Sequence, residues 1–170
     1  MQIVFAAATD VGRERDHNED SHLVVHEHGL FVMCDGMGGH LAGEVASKLA
    51  VDTIHTIIDD YISDLDTPET PEARGRALET LIRSAVEYAN RAVHALSRNE
   101  KTLGAGTTCS ALLVRDGKAA LAHVGDSRVY LARYGQIHQL SLDHTYAAEA
   151  IARGVLTPEE AAEIPEAAYL

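Results

Sequence analysis

The run Cys34-Asp35-Gly36-Met37-Gly38-Gly39-His40 sets a carboxylate beside three glycines in four positions, directly behind the apolar stretch 30–34 (LFVMC). A carboxylate at the end of a rigid strand can point out of a sheet. Glycines let the backbone turn sharply and approach a ligand closely. With the unhindered Gly36 carbonyl beside it, Asp35 makes a seat for a hard cation, which takes oxygen ligands. Two further segments are of the same kind. Residues 9–20 (TDVGRERDHNED) place Arg15 four positions before the acidic pair Glu19-Asp20, and residues 123–128 (HVGDSR) close a strand with Asp126. The planar Arg15 guanidinium can bind two oxygens of a phosphate at once, which a lysine cannot match.

These blocks, together with residues 106–110 (GTTCS), 140–145 (LSLDHT) and 154–161 (GVLTPEEA), resemble in type and order the bacterial branch of the PPM (PP2C-type) metal-dependent protein Ser/Thr phosphatases. The resemblance covers essentially the whole chain. It implies an α+β fold: a PP2C-like β-sandwich of two antiparallel sheets flanked by helices, in four αββα layers, C-terminally incomplete here. Residues 1–170 would form a single domain with a flap segment at about 143–170. The activity implied is hydrolysis of phosphoserine and phosphothreonine in proteins by a metal-activated water. Asp35 is then the bridging metal ligand and the Gly36 carbonyl a second contact, with Arg15 holding the substrate phosphate. Glu19 and Asp20 hold metal-bound waters or position other ligands, and Asp126 serves an additional, weaker metal position. The implied cofactors are Mn2+ or Mg2+, two or three in the complete enzyme. The implied partners are phosphorylated proteins made by a Ser/Thr kinase.

That chemistry suits the residues. Oxygen ligands favour Mg2+ or Mn2+ over zinc. Two cations roughly 3.5–4 Å apart can share one carboxylate, activate water for in-line attack on phosphorus and neutralise the phosphoryl oxygens. No protein nucleophile is then needed, and Cys34 and Cys109 read as reduced core residues. Each assignment has a plainer counterpart. Asp35 could cap the following helix. Arg15 could form a surface ion pair, Glu19 or Asp20 could be turn residues, and Asp126 could pair with Arg128. Asp143 and His144 read as positioning groups, and Thr107-Thr108 as the start of a strand near the site. Position 37 is Met where eukaryotic relatives carry a histidine proposed as general acid, so that role does not transfer. His22, His26 and His28 share strand parity, which suits an exposed face or a transition-metal trap.

The elements that must position these groups follow from periodicity. Strands are expected at 3–9, 22–27, 30–34, 107–115, 118–124, 128–133 and 137–140, with turns at His28-Gly29, Asp116-Gly117 and Tyr134-Gly135-Gln136. Helical spacing begins at Ala42. It resumes after Thr70-Pro71, a capping hydroxyl followed by proline at the first helical position. Further helices are expected at 145–153 and from Thr157, where Thr157-Pro158-Glu159-Glu160 makes a capping box. A chain of 170 residues fits one domain, and its net charge of −12 repels nucleic acid. No export signal and no run of about 18 apolar residues is read, so the expected location is cytoplasmic.

One departure from the family is visible. Full-length relatives continue with further strands and a helix carrying two more metal-binding aspartates, one in an Asp-Gly and one in an Asp-Asn pair. Neither pair occurs after Gly154. A second function therefore stands beside the first: a catalytically silent PP2C-like domain that binds a phosphoprotein or a regulatory partner.

Overall fold

In the computed structural model, residues 2–38 and 41–164 are described. The chain forms two compact units, Met1–Ala122 and His123–Leu170. The first unit is built on a sheet in the order β1-β2-β4-β5, with the short β3 paired to the end of β2. Its strands are β1 (Asp20–Val25), β2 (Leu30–Met37), β3 (Gly106–Thr107), β4 (Cys109–Arg115) and β5 (Lys118–Val124). β1 and β2 form a hairpin in which Asp20 faces Asp35 and Val25 faces Leu30. Gly29 closes that hairpin at φ 66, where a Cβ would lie 2.1 Å from the Val114 carbonyl oxygen. Asp116 and Gly117, at φ 51 and 76, turn β4 into β5, the left-handed pair that an Asp-Gly hairpin needs.

Side chains along β2 alternate strictly. Leu30, Val32, Cys34 and Gly36 are buried, whereas Met33, Asp35 and Met37 are exposed. The buried face is covered by two helices, α1 (Leu41–Tyr61) and α2 (Pro71–Leu96). Ala46, Ala50, Ile54 and Ile58 of α1 join Leu78, Ile82, Ala85 and Ala89 of α2 over Leu30, Val32, Ala111 and Leu113 in one core. Alanines at the contact let α1 approach the sheet closely. Each buried Ile or Leu contributes about 1.5–3 kcal/mol by leaving water. Thr70 caps α2 by accepting the Ala73 N–H, with proline at the first turn.

Two expectations need correction. No strand forms at 3–9, since no described strand pairs with it and a lone extended run has no ladder to satisfy. Phe5 packs instead on Phe31 and His26, at 6.0 and 5.7 Å between ring centres. β2 also runs three residues past its expected end, through Asp35 to Met37. Asp35 is paired with Asp20 of β1, and β3 gives Gly36 and Met37 partners in Thr107 and Gly106.

The second unit holds β6 (Tyr130–Arg133) and β7 (Gln136–Gln139), an antiparallel pair closed by Tyr134 and Gly135 at φ 53 and 75. Two short helices follow, α3 (Tyr146–Ala152) capped by Thr145 and α4 (Pro158–Ala162). At α4 the expected capping box is formed, with Thr157 and Glu160 bonding each other's backbone N–H. Among the described residues, no helix is long and apolar enough to cross a membrane.

Candidate metal and phosphate site

Asp35 is held by its main chain from a neighbouring strand. Its N–H donates to Thr108 Oγ1 at 3.0 Å, and its carbonyl accepts from Thr107 Oγ1 at 3.0 Å and from the Thr108 N–H at 2.9 Å. Thr108 leaves the ladder to do this, which is why the expected strand 107–115 breaks into β3 and β4. The clamp fixes the exposed side chain on the sheet face opposite the helices. Asp20 is its register partner, and directly paired residues of antiparallel strands share a face with Cβ atoms about 4.5–5.5 Å apart. Two like charges so placed repel. A divalent cation between them reverses the sign of that interaction.

Glu19 and Gly36 meet at the start of α1. The Glu19 carbonyl accepts the Gly36 N–H at 3.1 Å and the Ser47 hydroxyl at 2.6 Å. A Cβ on Gly36 would lie 2.3 Å from the Gly43 carbonyl oxygen and 2.5 Å from that of Glu19. A Cβ on Gly43 would lie 2.5 Å from the Glu19 carboxylate. Both positions thus require glycine by close approach, and the Glu19 side chain is confined against α1. Ser47 is fully buried, 3.0 Å from Ser21 Oγ. Its role escaped the sequence reading. The signal was a small polar residue on an otherwise apolar helix stripe beside Ala46 and Ala50.

Arg15 is exposed in the irregular segment before β1, and no acid among the described residues forms an ion pair with it. Asp126 lies in the second unit. Its plainer alternative, pairing with Arg128, is not what forms. Arg128 grips Asp143 in a two-pronged contact, Nε to the two carboxylate oxygens at 3.1 and 2.9 Å and Nη2 to Oδ2 at 2.6 Å. That guanidinium holds the Asp143 carboxyl below its usual range. His144 exchanges two bonds with Gly125: its N–H donates to the Gly125 carbonyl at 2.8 Å, and its Nδ1 accepts the Gly125 N–H at 3.3 Å. Asp143 and His144 therefore brace both sides of the 125–128 loop that carries Asp126. Gly39 and His40 of the glycine-rich run lie outside the described residues.

Cys34 and Cys109 are buried free thiols. The Cys109 thiol hydrogen-bonded to Cys34, and burial, push the Cys34 thiol far above its usual range. It stays protonated and is no nucleophile. The sign for stability follows. The folded thiol keeps its proton at pH values where the unfolded one has lost it. The contribution is thus complete below the ordinary thiol pKa of about 8.5 and falls away above it. Urea midpoints measured from pH 7 to 10.5 are expected to decline above about pH 9, and Cys34→Ala is expected to flatten that decline.

The candidate donors are all oxygens: the facing Asp35 and Asp20 carboxylates, the Gly36 carbonyl next in the chain, and the Glu19 carboxylate, which lies against α1. That chemistry fits Mg2+ or Mn2+. Among the described residues, no group of three His, Cys, Asp or Glu side chains is gathered tightly enough to hold an ion. The family model described as protein phosphatase 2C matches residues 11–164. The chain belongs to the protein phosphatase 2C family. It is 38% identical over 161 residues to the protein phosphatase PhpP of Streptococcus pneumoniae, covering 93% of this chain and 62% of that protein. It is 38% identical over 167 residues to the serine/threonine protein phosphatase PstP of Mycobacterium tuberculosis, covering 98% of this chain and 30% of PstP. The crystal structure of the M. tuberculosis phosphatase PstP/Ppp superposes with a TM-score of 0.75 at 37% identity, covering 97% of this chain and 65% of that one. A structure of the PstP catalytic domain with two manganese ions gives a TM-score of 0.72 at 38% identity, covering 92% of this chain and 62% of that one. The chain thus spans less than two thirds of these relatives, and its α+β protein phosphatase 2C fold is the one the sequence led us to expect.

Proposed function

We propose that residues 1–170 form part of a single metal-dependent phosphatase domain that hydrolyses phosphoserine and phosphothreonine in proteins. The observation that carries this reading is the facing pair Asp20 and Asp35, exposed on one sheet face, with the main chain of Asp35 anchored by Thr107 and Thr108. Bound Mn2+ or Mg2+, held by Asp35, the Gly36 carbonyl and the acids Glu19 and Asp20, would supply the activated water and the charge neutralisation that phosphate-ester hydrolysis needs. Asp126 would serve a further metal position. Arg15, with no acid of its own among the described residues, holds the substrate phosphate through its paired N–H groups. The substrates would be the products of a protein Ser/Thr kinase, since only such a reaction makes these esters. The donor set on this chain is one part of a metal centre, and the remaining ligands would come from elsewhere in the whole protein.

Phosphate release from a phosphothreonine peptide tests this, with this chain and with the chain extended to the length of its relatives. The extended protein is expected to be active with Mn2+ and silent with chelator. Arg15→Lys is expected to raise KM by about tenfold or more, with a smaller change in kcat, because the forked contact is lost. Metal-independent release, or peptide binding without hydrolysis in the extended protein, would overturn the reading in favour of a silent binding domain.

A further inference from the structure

Far from Asp35, the β4–β5 turn meets the start of α2 around a cavity of about 150 Å3 lined by Leu65, Pro71, Arg74, Leu78, Arg115, Asp116 and Lys118. Arg115 lies seven residues along from Thr108, roughly 23 Å of extended chain from the clamp on Asp35. Three cations converge there in a chain that has 14 Lys and Arg against 26 Asp and Glu. Local structure fixes all three. Arg74 Nε donates to the Pro68 carbonyl at 2.9 Å, Arg115 Nη2 to Asp66 at 2.6 Å, and Lys118 Nζ to the Pro71 carbonyl. Each named bond uses one donor, while a guanidinium has five N–H groups and an ammonium three. The acids at the cavity are Asp116 on its wall and Asp66 on Arg115, which leaves one positive charge in excess.

We propose that this cavity is an oxyanion site for a phosphate group, independent of the metal site. Buried Leu65 and Leu78 back the cavity, while the Arg74 and Lys118 side chains reach solvent and are open to an incoming anion. Its volume admits a tetrahedral anion together with the side chain that carries it. The forked N–H groups of Arg74 and Arg115 match paired phosphate oxygens, and Lys118 adds a point charge. The phosphate could come from a phosphorylated side chain or from free phosphate, and the recognition chemistry is the same for both.

Amide NMR of the metal-free protein at fixed ionic strength tests this. The probes are inorganic phosphate, a phosphothreonine peptide and the same peptide unphosphorylated. Saturating shifts are expected at residues 72–74 and 115–118 with the first two probes only. Arg74→Gln/Lys118→Gln, both exposed positions, is expected to weaken binding by about tenfold or more. Arg74→Gln alone serves should the double variant fail to fold. Tighter binding of the phosphopeptide than of phosphate assigns the site to phosphoproteins, and equal binding to free phosphate. Either upholds it. Non-saturating shifts, shifts that the variants leave undiminished, or equal shifts with the unphosphorylated peptide would overturn it. Because no metal is present, failure here leaves the phosphatase reading untouched.

Discussion

Asp35→Asn is expected to lower Mn2+-dependent phosphate release by the extended protein by at least about a hundredfold, while leaving the metal-free fold as stable or slightly more so. The two effects have one origin. Asparagine has the shape of aspartate, so the Thr107 and Thr108 bonds to the main chain of residue 35 persist. What disappears is one of two negative charges facing each other across β1 and β2. Without a cation that pair is repulsive, and its removal stabilises by up to about 0.5–1 kcal/mol. On the proposed reading, with a cation it would be the grip on the ion. Urea denaturation without metal, Mn2+ titration by calorimetry, and phosphate release together check the pattern. An Asn variant with unchanged Mn2+ affinity would remove Asp35 from the metal site.

Gly36→Ala is expected to destabilise the fold by about 3 kcal/mol or more, the range of a change that forces backbone to move. The added methyl would meet two carbonyl oxygens at 2.3 and 2.5 Å, and both belong to main chain that cannot rotate away. Moving either one pulls Glu19 or the start of α1 out of place, so metal affinity falls with stability. Gly117→Ala is the control. Nothing lies near its Cβ, so only the strain of φ 76 remains, about 1 kcal/mol. Urea midpoints of both variants check the contrast, and equal losses would contradict it.

Much of this arrangement was legible in the residues. The 3.6-residue spacing from Ala42 and the Thr70-Pro71 start located both long helices, because burial and capping are local signals. Asp116-Gly117 and Tyr134-Gly135 marked their hairpins because left-handed turns leave few choices of residue. Partnering was the part that did not show. The run 3–9 has strand-like composition and no strand beside it. β2 gains its last two residues only because β3 arrives from about seventy positions away. The Cys34–Cys109 contact has the same cause. It depends on the β2–β4 register, in which Met33 faces Ser110. At the site, the place of Asp35 behind a buried run could be read from its neighbours in sequence, but the bonds made by Ser47 and by the Thr107-Thr108 clamp could not. They act through main-chain bonds that leave no spacing pattern.

Met33 and Met37 flank Asp35 on the same sheet face and are 49% and 43% exposed. A cation visiting these carboxylates would therefore find half-exposed thioether chains along β2 on either side of Asp35, beside open water. Such a border lowers the effective dielectric constant around the charges, and each ion–carboxylate attraction is screened less than on an open polar surface. The same sulfur atoms are oxidisable. Conversion to the sulfoxide would make that margin more polar, so the attraction of a cation to Asp35 would depend on the oxidation state of two neighbouring side chains.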